Sequence, residues 1–552
     1  MLKSPLFMIK RIYLILFPLL LQVQSIFAQQ NIPQLVKRGD HYQLVVNGEP
    51  FLVLGGELGN STASTMESME PVWQRLVEMN LNTVLLPVYW ELLEPAEGKF
   101  DYSLLDNLIL EARKHNLKLV FLWFGSWKNS MSSHVPAWVK LDTKRFPRAK
   151  CESGESQEIL TPFSENNLKA DLDAYAHLLR HIKEIDEKYQ TVILVQPENE
   201  IGMLPSARDY HPLANEKFKD RVPKELMDYL ERNKEKLNPE FLEIWRNSGF
   251  KTRGSWEDVF GKGLHTDEIF MAYYFARYTD RICAAGKNEY ALPAYVNAAL
   301  NRTGKKPGEY PSAGPLPHVL DVWKAASPSI DFYSPDFYTP DFKHWSDLYI
   351  RQGNPLFIPE HKFDNTVSAK ALYAFGHYEA IGFSPFSIEQ IPEKPFTPKE
   401  EKLAEVYDML RQIKPILDQN WGQHRIEGVL LDKEIRETTF VLGDYELKAS
   451  HTYNLGWEPN AGSEEWEPAG ALIVQTGDKE FYYVGFGVSL TFRNLKQPQS
   501  KTGILETDRG YFKDGKWTVF QHLNGDQTHQ GRHIRSFVDD VSIQRFILYE
   551  YE

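Results

Sequence analysis

The chain has 552 residues, a formal charge of −13 and an isoelectric point near 5.7. That balance argues against a nucleic-acid partner and against a polybasic membrane patch. The length exceeds one ordinary core, so two or more domains are expected. Only Cys151 and Cys283 are present, too few for a disulfide framework, and the sequence leaves open whether they pair. Neither CxxC nor HExxH occurs, so no zinc site is visible.

The first 28 residues read as a secretory signal. Lys3, Lys10 and Arg11 precede the apolar run Ile12 to Leu21, and Ser25-Ile26-Phe27-Ala28 offers a small residue for cleavage before Gln29. The run is too short and one-sided for a dependable span, so an exported protein, periplasmic or extracellular, without a membrane span after cleavage is expected. In such an acidic exported protein, an aromatic content of 13%, rich in Trp and Tyr, favours a carbohydrate partner.

From about residue 40 strands and helices alternate. His41 to Val46 and Phe51 to Leu54 flank the turn Asn47-Gly48-Glu49-Pro50, which reads as a hairpin lid or entry. Phe51 to Leu54, Thr83 to Trp90, Leu117 to Phe124 and Val192 to Glu200 are strand candidates. Helical faces lie between them, the clearest being Leu105, Leu108, Ile109 and Ala112. This spacing means parallel βα units. The rhythm breaks after Glu200, where residues 203–267 read as an insertion on the face that carries the chemistry, either a lid or a solvated helical decoration. Ala291 to Asn297, Asp331 to Tyr338, Leu356 to Glu360 and Gly382 to Ser387 complete eight strands. The expected fold is therefore α/β, a (β/α)8 TIM barrel over residues 29–417.

After Asp418 the helical period disappears. Short β-rich runs such as Ala471 to Thr476, Phe481 to Gly487 and Phe546 to Tyr551 are separated by turn signals including Gly443-Asp444 and Gly477-Asp478. Residues 418–552 are expected to form an all-β sandwich. Packing beside the barrel is favoured over carbohydrate binding as its role.

Two strands end in carboxylates. Val192 to Val195 runs into Gln196-Pro197-Glu198-Asn199-Glu200, and Leu356 to Pro359 runs into Glu360. Catalytic groups of such barrels sit at the C-terminal ends of the strands. Two carboxyls about 5–5.5 Å apart are the requirement for retaining glycoside hydrolysis. One must stay protonated, through burial or a neighbouring charge; the other must be ionised, which calls for a donor such as a Tyr hydroxyl. That chemistry requires neither metal nor nucleotide, so no cofactor is expected.

These residues resemble the barrel glycosidases that place an Asn-Glu pair after strand four. More narrowly, three stretches resemble the β-galactosidases of glycoside hydrolase family thirty-five: Asn47 to Phe51 through Gly55-Gly56-Glu57-Leu58; Val88-Tyr89-Trp90-Glu91 with Glu94-Pro95; and Gln196 to Gly202. The sandwich is similar to the accessory domain of a bacterial branch. The resemblance implies an exo-acting β-galactosidase with Glu200 as acid/base and Glu360 as nucleophile. It also implies Asn199 as the partner of the sugar 2-hydroxyl and Tyr338 as the residue orienting Glu360. Trp90, Glu91, Trp127 and Phe386 stand where sugar-facing residues are expected, and Glu198 is structural. Two departures put the sugar in question: Pro197 replaces the family's usual Val, and Pro87 stands where many members carry a sugar-contacting Tyr. The same mechanism on an α-L-arabinoside or another β-glycoside is the alternative reading, and a non-catalytic sugar-binding barrel is the third.

Overall fold

The structure, a computed structural model, describes residues 32–552 apart from 393, 514 and 524; the expected signal segment lies outside the described residues. Strands β1 (Gln34–Arg38), β2 (His41–Val46) and β3 (Glu49–Phe51) form an antiparallel sheet. The β2–β3 turn uses Asn47 and Gly48, both at positive φ (53° and 81°), the backbone that a two-residue hairpin turn requires. This sheet is a plug and not a lid. Leu44 and Val46 join the barrel interior beside Val53, Ile193 and Phe357, and the Asn47 N–H donates to Gln190 Oε1 at 2.6 Å, just before a barrel strand begins. Both observations place it at the N-terminal end of the barrel, opposite the chemistry.

The barrel proper alternates strand and helix. It starts with β4 (Val53–Glu57), α1 (Val72–Glu78), β5 (Thr83–Tyr89), α2 (Ser103–Lys114) and β6 (Lys118–Lys128). A hairpin of β7 (Arg148–Lys150) and β8 (Ser156–Leu160) precedes α3 (Glu165–Asp186), β9 (Val192–Asn199) and α4 (Leu264–Glu289). The second half continues with β10 (Tyr295–Ala299), α5 (Leu320–Ala326), β11 (Phe332–Phe337), α6 (Phe342–Tyr349), β12 (Phe357–His361), α7 (Val367–His377), β13 (Gly382–Pro385) and α8 (Pro398–Asn420). The parallel order is β10-β11-β12-β13-β4-β5-β6-β9. A parallel bridge between Val195 and Ala294 closes the ring between β9 and β10. Leu85, Val120, Leu122, Ile193, Phe332 and Phe357 fill the interior, as in other closed eight-stranded barrels. Leu105, Leu108, Ile109 and Ala112 of α2 are all buried against the outside.

The insertion reaches the catalytic cavity only at its start, through Leu204, and its helices do not float in solvent. Its helices bury Leu226, Leu230, Phe241, Trp245, Trp256 and Phe260 in the main core, thickening the wall outside α4 and α5. Large apolar side chains at helical spacing within the charged stretch drive this packing. Cys151 and Cys283 are free buried thiols. Among the described residues no helix is long and apolar enough to cross a membrane.

The C-terminal part has two antiparallel sheets. Its strands are β14 (Ile426–Leu431), β15 (Glu437–Leu442), β16 (Tyr445–His451), β17 (Ala469–Gln475), β18 (Glu480–Phe486), β19 (Val488–Asn494), β20 (Lys501–Lys513), β21 (Lys516–His522), β22 (His533–Arg535) and β23 (Ser542–Tyr551). One sheet runs β14-β17-β18-β23-β20-β21 and the other β15-β16-β19-β22. The period of two explains how this unit is held. On β17, Ala471 and Ile473 face the sandwich core, whereas Leu472 and Val474 belong to the barrel's core. The β14–β17 edge lies directly on α7, so close that a Cβ on Gly376 would stand 2.6 Å from Gly428 Cα. Only glycine permits this approach.

Candidate active site

The last turn of β9 is irregular. Glu198 (φ 62°) and Glu200 (φ 43°) both adopt left-handed backbone, which non-glycine residues rarely do and which recurs at functional sites. This breaks the strand's simple alternation and sends the two carboxylates in different directions. Glu198 turns into the wall. It accepts from the backbone N–H groups of Ser126 (3.3 Å) and Trp127 (2.7 Å). Beside it lies Asp171 of α3, which accepts from Trp123 Nε1 (2.8 Å), Ser126 Oγ (2.5 Å) and the Tyr278 hydroxyl (3.0 Å). Burial first, then the Asp171 charge, holds the Glu198 carboxyl well above its usual range. The pair clamps the end of β6.

Glu200 turns into the mouth of the barrel. Its backbone N–H donates to Asn297 Oδ1 (2.9 Å), and Asn297 Nδ2 donates to Asp336 Oδ2 (2.6 Å). Glu360, at the end of β12, accepts from the Tyr338 hydroxyl through Oε1, while its Oε2 is buried without a partner. Glu200, Asp336 and Glu360 are all buried, and one carboxyl oxygen from each lies within 4.8 Å of the others. Opposite charge comes from Lys128, buried at the end of β6, whose Nζ donates to Asn199 Oδ1 at 2.8 Å. That bond fixes the Asn199 amide and leaves its Nδ2 buried without an acceptor.

The electrostatics follow from crowding acids where water is scarce. Burial and then the Glu200 charge push the Glu360 carboxyl up to about 7, against the pull of Lys128 and the Tyr338 hydroxyl. Burial raises Glu200 as well, with Lys128 and a hydrogen bond to Asp336 opposing it. Asp336 is held well above its usual range by burial and then by Glu360, Glu200 and Glu57, and the bond to Glu200 adds to that. Both members of the Asp336–Glu200 pair are thus raised, and their contact suits a proton shared between them. Glu57 at the end of β4 is raised by burial and by Glu360 in the same way.

The cavity over these groups holds about 550 Å³. Of the eight residues expected from sequence, Glu200, Glu360, Tyr338 and Phe386 line it, and Asn199 lies directly behind Lys128. Three expectations need correction. Trp90 is fully buried outside the barrel, donating from Nε1 to Glu94 Oε2 at 2.8 Å and packing edge-on against Trp138. Tyr89 takes the inward side of β5 and the chain then turns into a short helix, which carries Trp90 outward. Glu91, on that helix, bonds His134 Nδ1 at 2.9 Å away from the cavity. Trp127 is fully buried edge-on against Phe275 and Tyr278 of α4. Sequence reasoning assigned no role to Lys128 or Asp336. The available signal was a charge ending the apolar run of β6 and an acid two residues before Tyr338 within a buried strand.

A family model described as a β-galactosidase, that of glycoside hydrolase family 42, matches residues 62–249. Family 42 is distinct from family thirty-five, so the resemblance read from sequence holds for β-galactosidase barrels and not for family thirty-five itself. A second model, described as a domain of unknown function (DUF5597), matches residues 403–535. No curated protein gives a significant match. Among solved structures, the β-galactosidase of Rahnella sp. R3 aligns at 15% identity and TM-score 0.46 over 66% of this chain and 57% of that one. The β-galactosidase of Bacillus circulans sp. alkalophilus aligns at 14% and 0.45 over 66% and 56%. The β-amylase catalytic domain of Paenibacillus polymyxa aligns at 13% and 0.44 over 64% and 96%. The chain thus spans little more than half the length of those two galactosidases. The chain carries a (β/α)8 barrel in which residues 62–249 are similar to the β-galactosidase family model.

Proposed function

We propose that the protein is an exported retaining exo-β-galactosidase that removes terminal β-galactosyl residues from oligo- or polysaccharide side chains by double displacement. The observation that carries this reading is the buried Glu200–Glu360 pair, with carboxyl oxygens within 4.8 Å of each other at the C-terminal mouth of the barrel. That gap suits direct attack by one carboxylate and is too short for the intervening water of an inverting enzyme. The exported location rests on the charge and hydropathy of residues 1–28 alone.

In the first step Glu360 attacks the anomeric carbon while Glu200 gives its proton to the departing oxygen. In the second Glu200 takes a proton from water, which displaces Glu360. The Tyr338 hydroxyl bonded to Glu360 favours its anion. Asp336, in contact with Glu200 and raised with it by burial, helps keep a proton available to Glu200 before the sugar bond breaks. The unpaired Asn199 Nδ2 is a fixed donor for the sugar 2-hydroxyl, a contact that strengthens at the transition state.

Lys128 is the counter-charge that keeps this many acids workable. Its removal raises both Glu200 and Glu360, because its charge lowers both. Glu360 must be ionised and Glu200 protonated, so both limbs of the bell move to higher pH in Lys128→Met. At pH 5 kcat/KM falls by about tenfold or more, the effect of roughly one unit on the ionised fraction, and the deficit narrows towards pH 8. Lys128→Arg keeps the wild-type limbs. A Lys128→Met enzyme with unmoved limbs contradicts the assignment.

The sugar is tested with purified protein and a panel of p-nitrophenyl glycosides, on which β-D-galactopyranoside is expected to be the best substrate. Pro87 stands where the resemblance expects a sugar-contacting Tyr and does not line the cavity, and this favours a second reading in which an α-L-arabinoside or another β-glycoside is preferred. Faster turnover of such a sugar selects that reading. No cleavage of any member contradicts both.

A further inference from the structure

The ends of β11 and β12 face two spaces. Glu360 opens into the catalytic cavity, whereas the next residue, His361, opens into a second cleft of about 640 Å³. The barrel forms one wall of this cleft through the loop after Tyr338 and through Lys362 and Lys370. The sandwich forms the other through Leu430, Glu434 and Trp466. The two spaces meet at Tyr338 and Thr339, which line both. Tyr338, whose hydroxyl is committed to Glu360, is 49% exposed and forms the sill between them.

We propose that this cleft binds the leaving-group part of the substrate, an uncharged oligosaccharide chain carrying the terminal sugar, and that the sandwich serves the enzyme as its second wall. This rests on the glycosidase reading above. Three observations carry it. The cleft is continuous with the catalytic cavity at Tyr338 and Thr339, so a chain attached to a sugar in that cavity has a path into it. Two buried polar atoms at its two walls, Thr339 Oγ1 and Trp466 Nε1, have no hydrogen-bond partner in the chain, and a hydroxyl-rich ligand supplies what they lack. The lining mixes Lys362 and Lys370 with Asp341, Asp432 and Glu434, which suits a neutral ligand rich in donors and acceptors and disfavours a strongly charged polymer of either sign. Its place between two domains is where ligand sites commonly form.

The test compares wild type with Trp466→Phe, which keeps the ring but loses the N–H, and with Lys362→Ala/Glu434→Ala. The substrates are p-nitrophenyl β-D-galactopyranoside, β-linked galactobiose and β-linked galactotetraose. Wild-type kcat/KM is expected to rise about tenfold from biose to tetraose, and both variants to lose about that gain while the aryl substrate stays within about twofold. Calorimetric titration of inactive Glu360→Gln protein with the tetraose reads the same site without turnover, and the cleft substitutions should weaken that binding. Rates independent of chain length, equal losses on aryl and oligosaccharide substrates, or no tetraose binding overturn the proposal. An inactive wild type that binds tetraose through the cleft would instead count against the hydrolase reading alone.

Discussion

Glu360→Gln abolishes turnover of p-nitrophenyl β-D-galactopyranoside, with kcat lower by roughly 10⁴-fold or more, the scale seen when a covalent nucleophile is removed. The substitution is conservative in structure. The Gln carbonyl still accepts from the Tyr338 hydroxyl, and the new amide replaces an oxygen that has no partner and lies among acids. Replacing one of three crowded buried carboxyls with a neutral group relieves repulsion, so thermal stability should be unchanged or higher. Active sites commonly hold such stability in reserve. Loss of activity with an unchanged or raised Tm thus separates a chemical role from a structural one. In the wild type, a slow 2-deoxy-2-fluoro-galactosyl fluoride should label the peptide that contains Glu360. Retained activity in the variant, or a label on another peptide, removes Glu360 from the nucleophile's place.

Glu200→Ala gives a loss that depends on the leaving group. For galactobiose, whose departing oxygen needs a proton, kcat/KM falls by about 10²–10⁴-fold. For 2,4-dinitrophenyl β-galactoside, whose phenolate leaves unaided, the first step is nearly preserved and the glycosyl-enzyme accumulates. Azide should then restore turnover and yield the β-galactosyl azide, because it enters the space vacated by the carboxyl on the face opposite Glu360. The backbone at Glu200 is already left-handed, and its N–H to Asn297 remains in the variant, so the local structure is expected to hold. An equal loss on both substrates and no azide product contradict the acid/base role. Glu198→Gln offers a contrast within the same turn. Glu198 grips the N–H groups of Ser126 and Trp127 behind the wall, so its loss acts through position and should not depend on the leaving group.

The barrel was legible because its signals are local. Short apolar runs ending at Glu57, Glu200 and Glu360, separated by helical faces such as Leu105 to Ala112, mark parallel βα units without any knowledge of contacts. The two central carboxylates were legible for the same reason, as charges ending buried strands. Trp90 and Trp127 show where this stops. Where a strand ends the chain is leaving the sheet, so one change of backbone direction moves a side chain from the mouth to the wall. Lys128 and Asp336 were hidden for a different reason. Their significance lies in meeting Glu200 and Glu360 across the mouth, and no spacing along the chain encodes that meeting. The insertion after β9 misled through composition, because its charged surface outweighs Phe241, Trp245 and Trp256, which fix it to the barrel's core. The sandwich was visible as β-rich sequence, but its contact with the barrel depends on which alternate residues of β17 face each side.

Glu200 and Glu360 lie close enough for direct attack by a carboxylate. The stereochemistry of the first product tests this most directly. Proton NMR of p-nitrophenyl β-D-galactopyranoside hydrolysis, or of the best substrate on the panel, should show the β-anomer of the free sugar appearing first and the α-anomer only later by mutarotation. First appearance of the α-anomer would mean a single displacement by water and would contradict the double-displacement account.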